Sequence, residues 1–165
     1  MASEGPSSGA GPPDRGASYR SLLRDMRLAL LSEIGARAIY DHLRRHVKDP
    51  DLQALLVEHN ETGAQNVERL RELMIGLGAR PRRTSFRRRA LARALALASR
   101  VIGVRVVLRI VMNAEETVSR WYQEYAMFLL RLGDEPRARI CQELSGVKSR
   151  HAQAVGAWVS NLARR

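Results

Sequence analysis

Apolar residues recur at spacings of three and four along most of the chain, the period of an amphipathic α-helix. No stretch shows the strict alternation of a half-buried strand. Breakers divide this pattern. Lys48-Asp49-Pro50-Asp51 stops one run and supplies an N-cap for the next; Gly76 and Gly78 followed by Pro81 end the second; Gly133-Asp134-Glu135-Pro136 separates the last. Helices are therefore predicted over about residues 18–47 and 51–77, over a third region of 85–132 that Gly103 bends or breaks, and from the Gly133 turn to near Leu162. Residues 1–18, rich in Gly, Pro and Ser, bury too little apolar surface to offset the entropy of ordering and read as a disordered tail. Helices of this length joined by short turns pack antiparallel. The expected fold is all-α: an up-down antiparallel four-helix bundle over residues 19–165, with an extra amphipathic segment before the third core helix.

Extending each apolar stripe shows what shares the inward face. The first helix aligns Met26, Leu30, Glu33, Arg37 and Tyr40. The second aligns Leu52, Leu55, His59, Gly63, Asn66, Leu70 and Leu73. The third gives Leu108, Val111, Glu115, Val118, Tyr122 and Leu129, and the fourth Leu144, Lys148, His151, Val155, Trp158 and Leu162. The mid-height of every helix is polar or small, while the layers above and below are apolar. A charge in such an interior costs several kcal/mol unless it is paired or liganded. A layer contributed by all four helices is a candidate site.

Composition narrows the chemistry. Hydrophobic residues are 45% and aromatics only 5% of 165 residues, which suits one helical domain. The single cysteine, Cys141, excludes an internal disulfide framework and a Cys-based zinc or iron–sulfur site. It fits a reducing compartment such as the cytoplasm. The N-terminal residues lack the apolar core of a secretory signal, and no uninterrupted apolar stretch reaches the roughly 18 residues of a spanning helix. The net charge of +11 and pI near 11.2 attract polyanions, although a bias towards Arg in the coding genome would give the same excess.

Three stretches carry a resemblance. Ser32-Glu33-Ile34-Gly35-Ala36-Arg37-Ala38-Ile39-Tyr40 resembles the first-helix Glu motif of the demethoxyubiquinone hydroxylases of ubiquinone biosynthesis. Ala114-Glu115-Glu116-Thr117-Val118-Ser119-Arg120-Trp121-Tyr122 resembles their third-helix segment. The run Asn66-Val67-Glu68-Arg69-Leu70-Arg71-Glu72-Leu73-Met74, closing on Arg80-Pro81, resembles the end of their second helix. Rubrerythrin-type proteins share the layout, and the likeness spans residues 21–158. It implies a ferritin-like fold in which Glu from two helices and Glu-x-x-His from the other two hold two metal ions. Carried over residue by residue, Glu33 and Glu115 match the single-Glu ligands, and His151 keeps the fourth-helix His. Gly63, Asn66 and Lys148 fall on the remaining positions, so three of the six ligands are degenerate. Lys148 cannot ligate a metal and is expected to neutralise Glu33 and Glu115. A rearranged mononuclear site of Glu33, Glu115, His151 and His59 would suit iron, manganese or zinc.

Each feature has a plainer reading beside it. Glu33 pairs with Arg37 at i+4, Lys148 snorkels outward, and His151 is a core histidine with one hydrogen bond. Tyr122 and Trp158 are core aromatics, His42 and His46 lie on a solvated face, and Glu61 and Glu68 are exposed. Arg80, Arg82, Arg83, Arg87, Arg88 and Arg89 form a basic patch, followed to Met112 by an apolar run with interspersed Arg. That mix resembles a segment lying in a membrane interface, at the inner face of a membrane. The Ala-rich residues 90–98 offer a face for a second copy.

Two functional readings follow. The first is a divergent ferritin-like bundle with an impaired or absent metal site, membrane-peripheral or partner-binding, with no cofactor. The second is an iron-dependent oxidoreductase acting on a quinone through the rearranged site. Nucleic-acid binding ranks last, because no aromatic interleaving accompanies the arginines.

Overall fold

The computed structural model describes residues 15–81, 94 and 102–161. Four long helices carry the described chain: α1, Arg15–Leu43; α2, Pro50–Gly76; α3, Val104–Arg131; and α4, Glu135–Asn161. No strand is present among the described residues. The family of helices is the one the periodicity predicts, with α1 beginning a turn earlier than expected. Residues 1–14, expected as a tail, and the extra segment before α3, apart from residue 94, lie outside the described residues.

Local chemistry sets the helix ends. The Asp49 side chain accepts a hydrogen bond from the Leu52 N–H at 2.9 Å, and Pro50 fills the first turn of α2, where its missing N–H costs nothing. Gly103 breaks the third region rather than bending it. Its φ of +86° is open to glycine and strained for other residues, and α3 starts immediately after it. Gly133, at φ +75°, makes the tight reversal between α3 and α4, with the Asp134 N–H returning to the Leu129 carbonyl at 2.9 Å.

Two apolar layers hold the bundle. One joins Met26 and Leu30 of α1 to Leu70 and Met74 of α2, Tyr122 and Leu129 of α3, and Cys141 and Leu144 of α4. The other joins Tyr40 and Leu43 of α1 to Leu52 and Leu56 of α2, Leu108 and Val111 of α3, and Val155 and Val159 of α4. Each fully buried Leu or Val contributes about 1.5–3 kcal/mol of transfer free energy, so these layers supply the bulk of the stability. On α4 the buried position is Val159, whereas Trp158 is only half-buried, as is Leu55 on α2.

The membership of the layers fixes the direction of every helix. The start of α1 and of α4 lies in the same layer as the end of α2 and of α3. Contacting neighbours are α3 with α4, α1 with α2, and more thinly α1 with α3 and α2 with α4, and each pair is antiparallel. The order is nevertheless not up-down-up-down: α2 and α3 stand on a diagonal and run the same way. The end of α2 and the start of α3 therefore lie at opposite ends of the bundle, roughly 40 Å apart for a helix the size of α2. Hydrophobic periodicity specifies which face is buried but not which way a helix points.

Candidate functional site

Between the two apolar layers lies a polar one. Glu33 of α1, His59 and Asn66 of α2, Glu115 of α3, and Lys148 and His151 of α4 are all buried, none more than 4% exposed. Lys148 does not snorkel. Its Nζ reaches across the bundle diagonal to Glu33 Oε2 at 2.8 Å and lies 2.6 Å from Glu115 Oε2. Glu33 consequently pairs with Lys148 and not with Arg37, whose Nε donates instead to the Asn60 carbonyl at 3.3 Å.

Two tyrosines complete the carboxylate shell. Tyr40 Oη donates to Glu115 Oε1 at 2.8 Å, and Tyr122 Oη donates to Glu33 Oε1 at 3.1 Å. Each tyrosine lies seven residues after the glutamate of its own helix and bonds the glutamate of the other helix, a reciprocal exchange between antiparallel α1 and α3. The sequence reading treats Tyr122 as a core aromatic. The shared Glu-to-Tyr spacing was the available signal for its polar role.

Electrostatics separate the two carboxyls. Burial pushes the Glu115 carboxyl up, but the Lys148 ammonium, the nearby His151 ring and the Tyr40 hydroxyl more than offset it and hold it at about 2. Glu33 moves the other way: its burial, with the charge of Glu115, outweighs the attraction of Lys148. Two carboxylates face one ammonium, and the balance of burial and charge favours the charged form at Glu115 more than at Glu33. Burial alone would lower the Lys148 ammonium, and the charges of Glu33 and Glu115 raise it instead, so it stays a cation. The two phenols are pushed well above their ordinary value by burial and then by the carboxylates beside them, so both remain donors.

The side of the layer built by α2 is different. The His59 and His151 rings stack with centroids 3.8 Å apart and planes 16° from parallel, and Tyr40 meets His59 edge-on at 5.5 Å. Burial, the His151 charge and, behind them, Lys148 depress His59 to about 4. His59 Nδ1, His151 Nδ1 and Asn66 Nδ2 are buried without a hydrogen-bond partner, and His151 Nδ1 stands 3.7 Å from Glu115 Oε2, too far for one. Gly63 is closed off: a Cβ there would lie 2.9 Å from Arg37 Cγ and 3.3 Å from its Cδ. Between α3 and α4, Ser119 and Ser145 exchange hydrogen bonds with each other's carbonyl at 3.0 Å, a tie the apolar stripes do not reveal.

These residues do not fit a two-metal centre. Gly63 offers no donor, Asn66 only a neutral amide, and Lys148 places an ammonium between the two carboxylates that would bridge metal. The rearranged mononuclear set is not assembled either. Among the described residues no three His, Cys, Asp or Glu side chains are grouped to hold a metal ion. The stacked His pair shows why, since two nearly parallel rings 3.8 Å apart cannot both direct an in-plane lone pair at one ion some 2.1 Å away.

Outside the layer, Cys141 is buried, free and pushed up to about 12 by its surroundings and by Asp134, which makes it an inert packing residue. His42 and His46 stack on one another at the α1 terminus, and Glu61 and Glu68 are exposed. Of the basic patch, Arg80 is described and exposed, and Arg82, Arg83, Arg87, Arg88 and Arg89 lie outside the described residues, as does the Ala-rich stretch apart from Ala94. No described helix is long and apolar enough to cross a membrane.

No curated protein and no solved structure matches the chain. A family model does, that of the ubiquinone biosynthesis protein COQ7, over residues 20–154. This span covers most or all of each of the four helices and every member of the polar layer. The order of the motifs, the ferritin-like bundle and the family match agree: the chain belongs to the COQ7 family of ubiquinone biosynthesis proteins.

Proposed function

We propose that this chain serves quinone biosynthesis by binding a quinone of the ubiquinone type. The family match over residues 20–154 carries this reading. The match also supports hydroxylation of the quinone more than it supports a bundle with no remaining chemistry, so hydroxylation is the activity to assay first. The residues present limit how it would proceed, since no step can be assigned to an iron pair that they are not arranged to hold. The test is recovery of quinone in lipid extracts of the purified chain, with saturable binding of a demethoxyquinone and its turnover under reductant and oxygen. Binding with turnover, abolished by Glu115→Ala, selects the hydroxylase. Absence of any bound or titratable quinone contradicts the proposal.

A second reading, quinone binding without hydroxylation, is favoured by one observation, the Lys148 ammonium at 2.8 and 2.6 Å from Glu33 and Glu115. In either form we place the protein at a membrane surface. Val106 and Ile110 near the start of α3 and Ile102 just before it are exposed apolar residues, and Arg109 is exposed among them. Sedimentation with vesicles containing anionic lipid is expected to fall as salt rises. Equal binding to neutral vesicles at high salt would remove the electrostatic part.

A further inference from the structure

We infer that this chain has replaced the metal pair of its family's centre with the Lys148 ammonium, while the Arg37 stem fills the space of a lost ligand. The inference does not rest on the quinone reading. It starts from position: Lys148 and Gly63 stand where the two Glu-x-x-His motifs of a ferritin-like centre place their glutamates, on α4 and α2.

At the first of these positions the ammonium does what a bridging cation does. It joins a carboxylate of α1 to one of α3, and its 2.8 and 2.6 Å contacts come from a fourth-helix side chain that itself became the cation. At the second, the Arg37 stem fills the space of the missing side chain, so that a Cβ on Gly63 would lie 2.9 Å from it. The Arg37 Nε is anchored on the Asn60 carbonyl at 3.3 Å, which holds the stem in place. Any ligand restored at position 63 has to displace it.

The charges agree with the geometry. A centre with four carboxylates and two divalent ions is neutral. Removing glutamate from two helices leaves Glu33 and Glu115, and the Lys148 ammonium between them supplies positive charge from within. The one family histidine that is kept, His151, no longer has an ion to serve. It stacks on His59, and Nδ1 of each is without a hydrogen-bond partner. Each observation is independent of the others: an ion triad, a filled volume and a pair of unemployed imidazoles.

The experiment compares the wild-type chain with a reconstruction carrying Arg37→Ala, Gly63→Glu, Asn66→His and Lys148→Glu, each incubated with manganese(II) or, without oxygen, iron(II). After desalting, the wild type is expected to retain no stoichiometric metal and its melting temperature to be unmoved by either ion. The reconstruction is expected to retain about two ions per chain and to melt higher with metal than without. A wild type that holds one or two ions overturns the inference, and so does a folded reconstruction that holds none. Should the reconstruction not fold, Lys148→Glu alone decides. Its three interior carboxylates need a divalent ion, so its folded fraction rises with manganese(II) if Lys148 stands on a metal position, and an unchanged fraction overturns the inference. No quinone enters these measurements, so their failure leaves the quinone proposal standing.

Discussion

The polar layer has two halves that obey different rules. On the side of α1, α3 and α4, every carboxylate oxygen meets a hydroxyl or the ammonium: Glu33 holds Tyr122 and Lys148, and Glu115 holds Tyr40, with Oε2 met by Lys148 as an ion pair without hydrogen-bond geometry. On the side of α2, His59, Asn66 and His151 are as deeply buried, yet each keeps a polar nitrogen with no partner. A buried charge demands satisfaction because leaving it bare costs several kcal/mol, whereas a neutral imidazole or amide tolerates one unmet group at about 1–3 kcal/mol. The closed half is therefore where the fold is held, and the open half leaves polar nitrogens unmet.

Removing the centre of the closed half gives the largest effect. Lys148→Ala strands two buried carboxylates and is expected to cost about 3–5 kcal/mol in denaturant unfolding. A loss below 1 kcal/mol would show that the carboxylates are hydrated in solution. Removing a hydroxyl donor is milder: Tyr122→Phe and Tyr40→Phe are each expected to cost about 1.5–3 kcal/mol, since each donates to a carboxylate. If the two act through one triad, their double variant departs from additivity, and simple addition would mean two separate sites.

Acid titration addresses the open half. His59 is held at about 4 against 6.5 when unfolded, so the folded chain binds fewer protons than the unfolded chain within that window. Stability from this group is full above pH 6.5 and is lost as pH falls towards 4. Glu115 acts with the same sign lower down, from 4.5 to about 2. His59→Phe should flatten the upper step and leave the lower one, and an unchanged profile would assign the upper step elsewhere. At neutral pH the smallest change is expected from His59→Leu, which removes an unpartnered nitrogen and should shift stability by under about 1 kcal/mol. A loss comparable to that of Lys148→Ala would erase the distinction between the halves.

Much of this was legible in the chain. The stripes place Glu33, His59, Gly63, Asn66, Glu115, Lys148 and His151 at one height because a 3.6-residue period is a property of the sequence itself. The same stripes say nothing about helix direction, so the parallel run of α2 and α3 came only from the structure. Nor do they give side-chain reach. Tyr40 and Tyr122 lie on the stripes as bulky core residues, and only the cross-helix distances show them as donors. Arg37 sits on the inward stripe beside Glu33, which suggests an i, i+4 pair, but its stem turns over Gly63 because that residue leaves room for it. Where the sequence alone misleads, one side chain's course depends on what a different helix omits.

The most direct measurement is elemental analysis of the wild-type chain, grown with iron and manganese in excess and purified without chelator. The Lys148 account predicts no stoichiometric metal in a folded protein, with both carboxylates already paired from within. Two ions per chain would contradict it and return Glu33, Glu115 and His151 to the role of ligands.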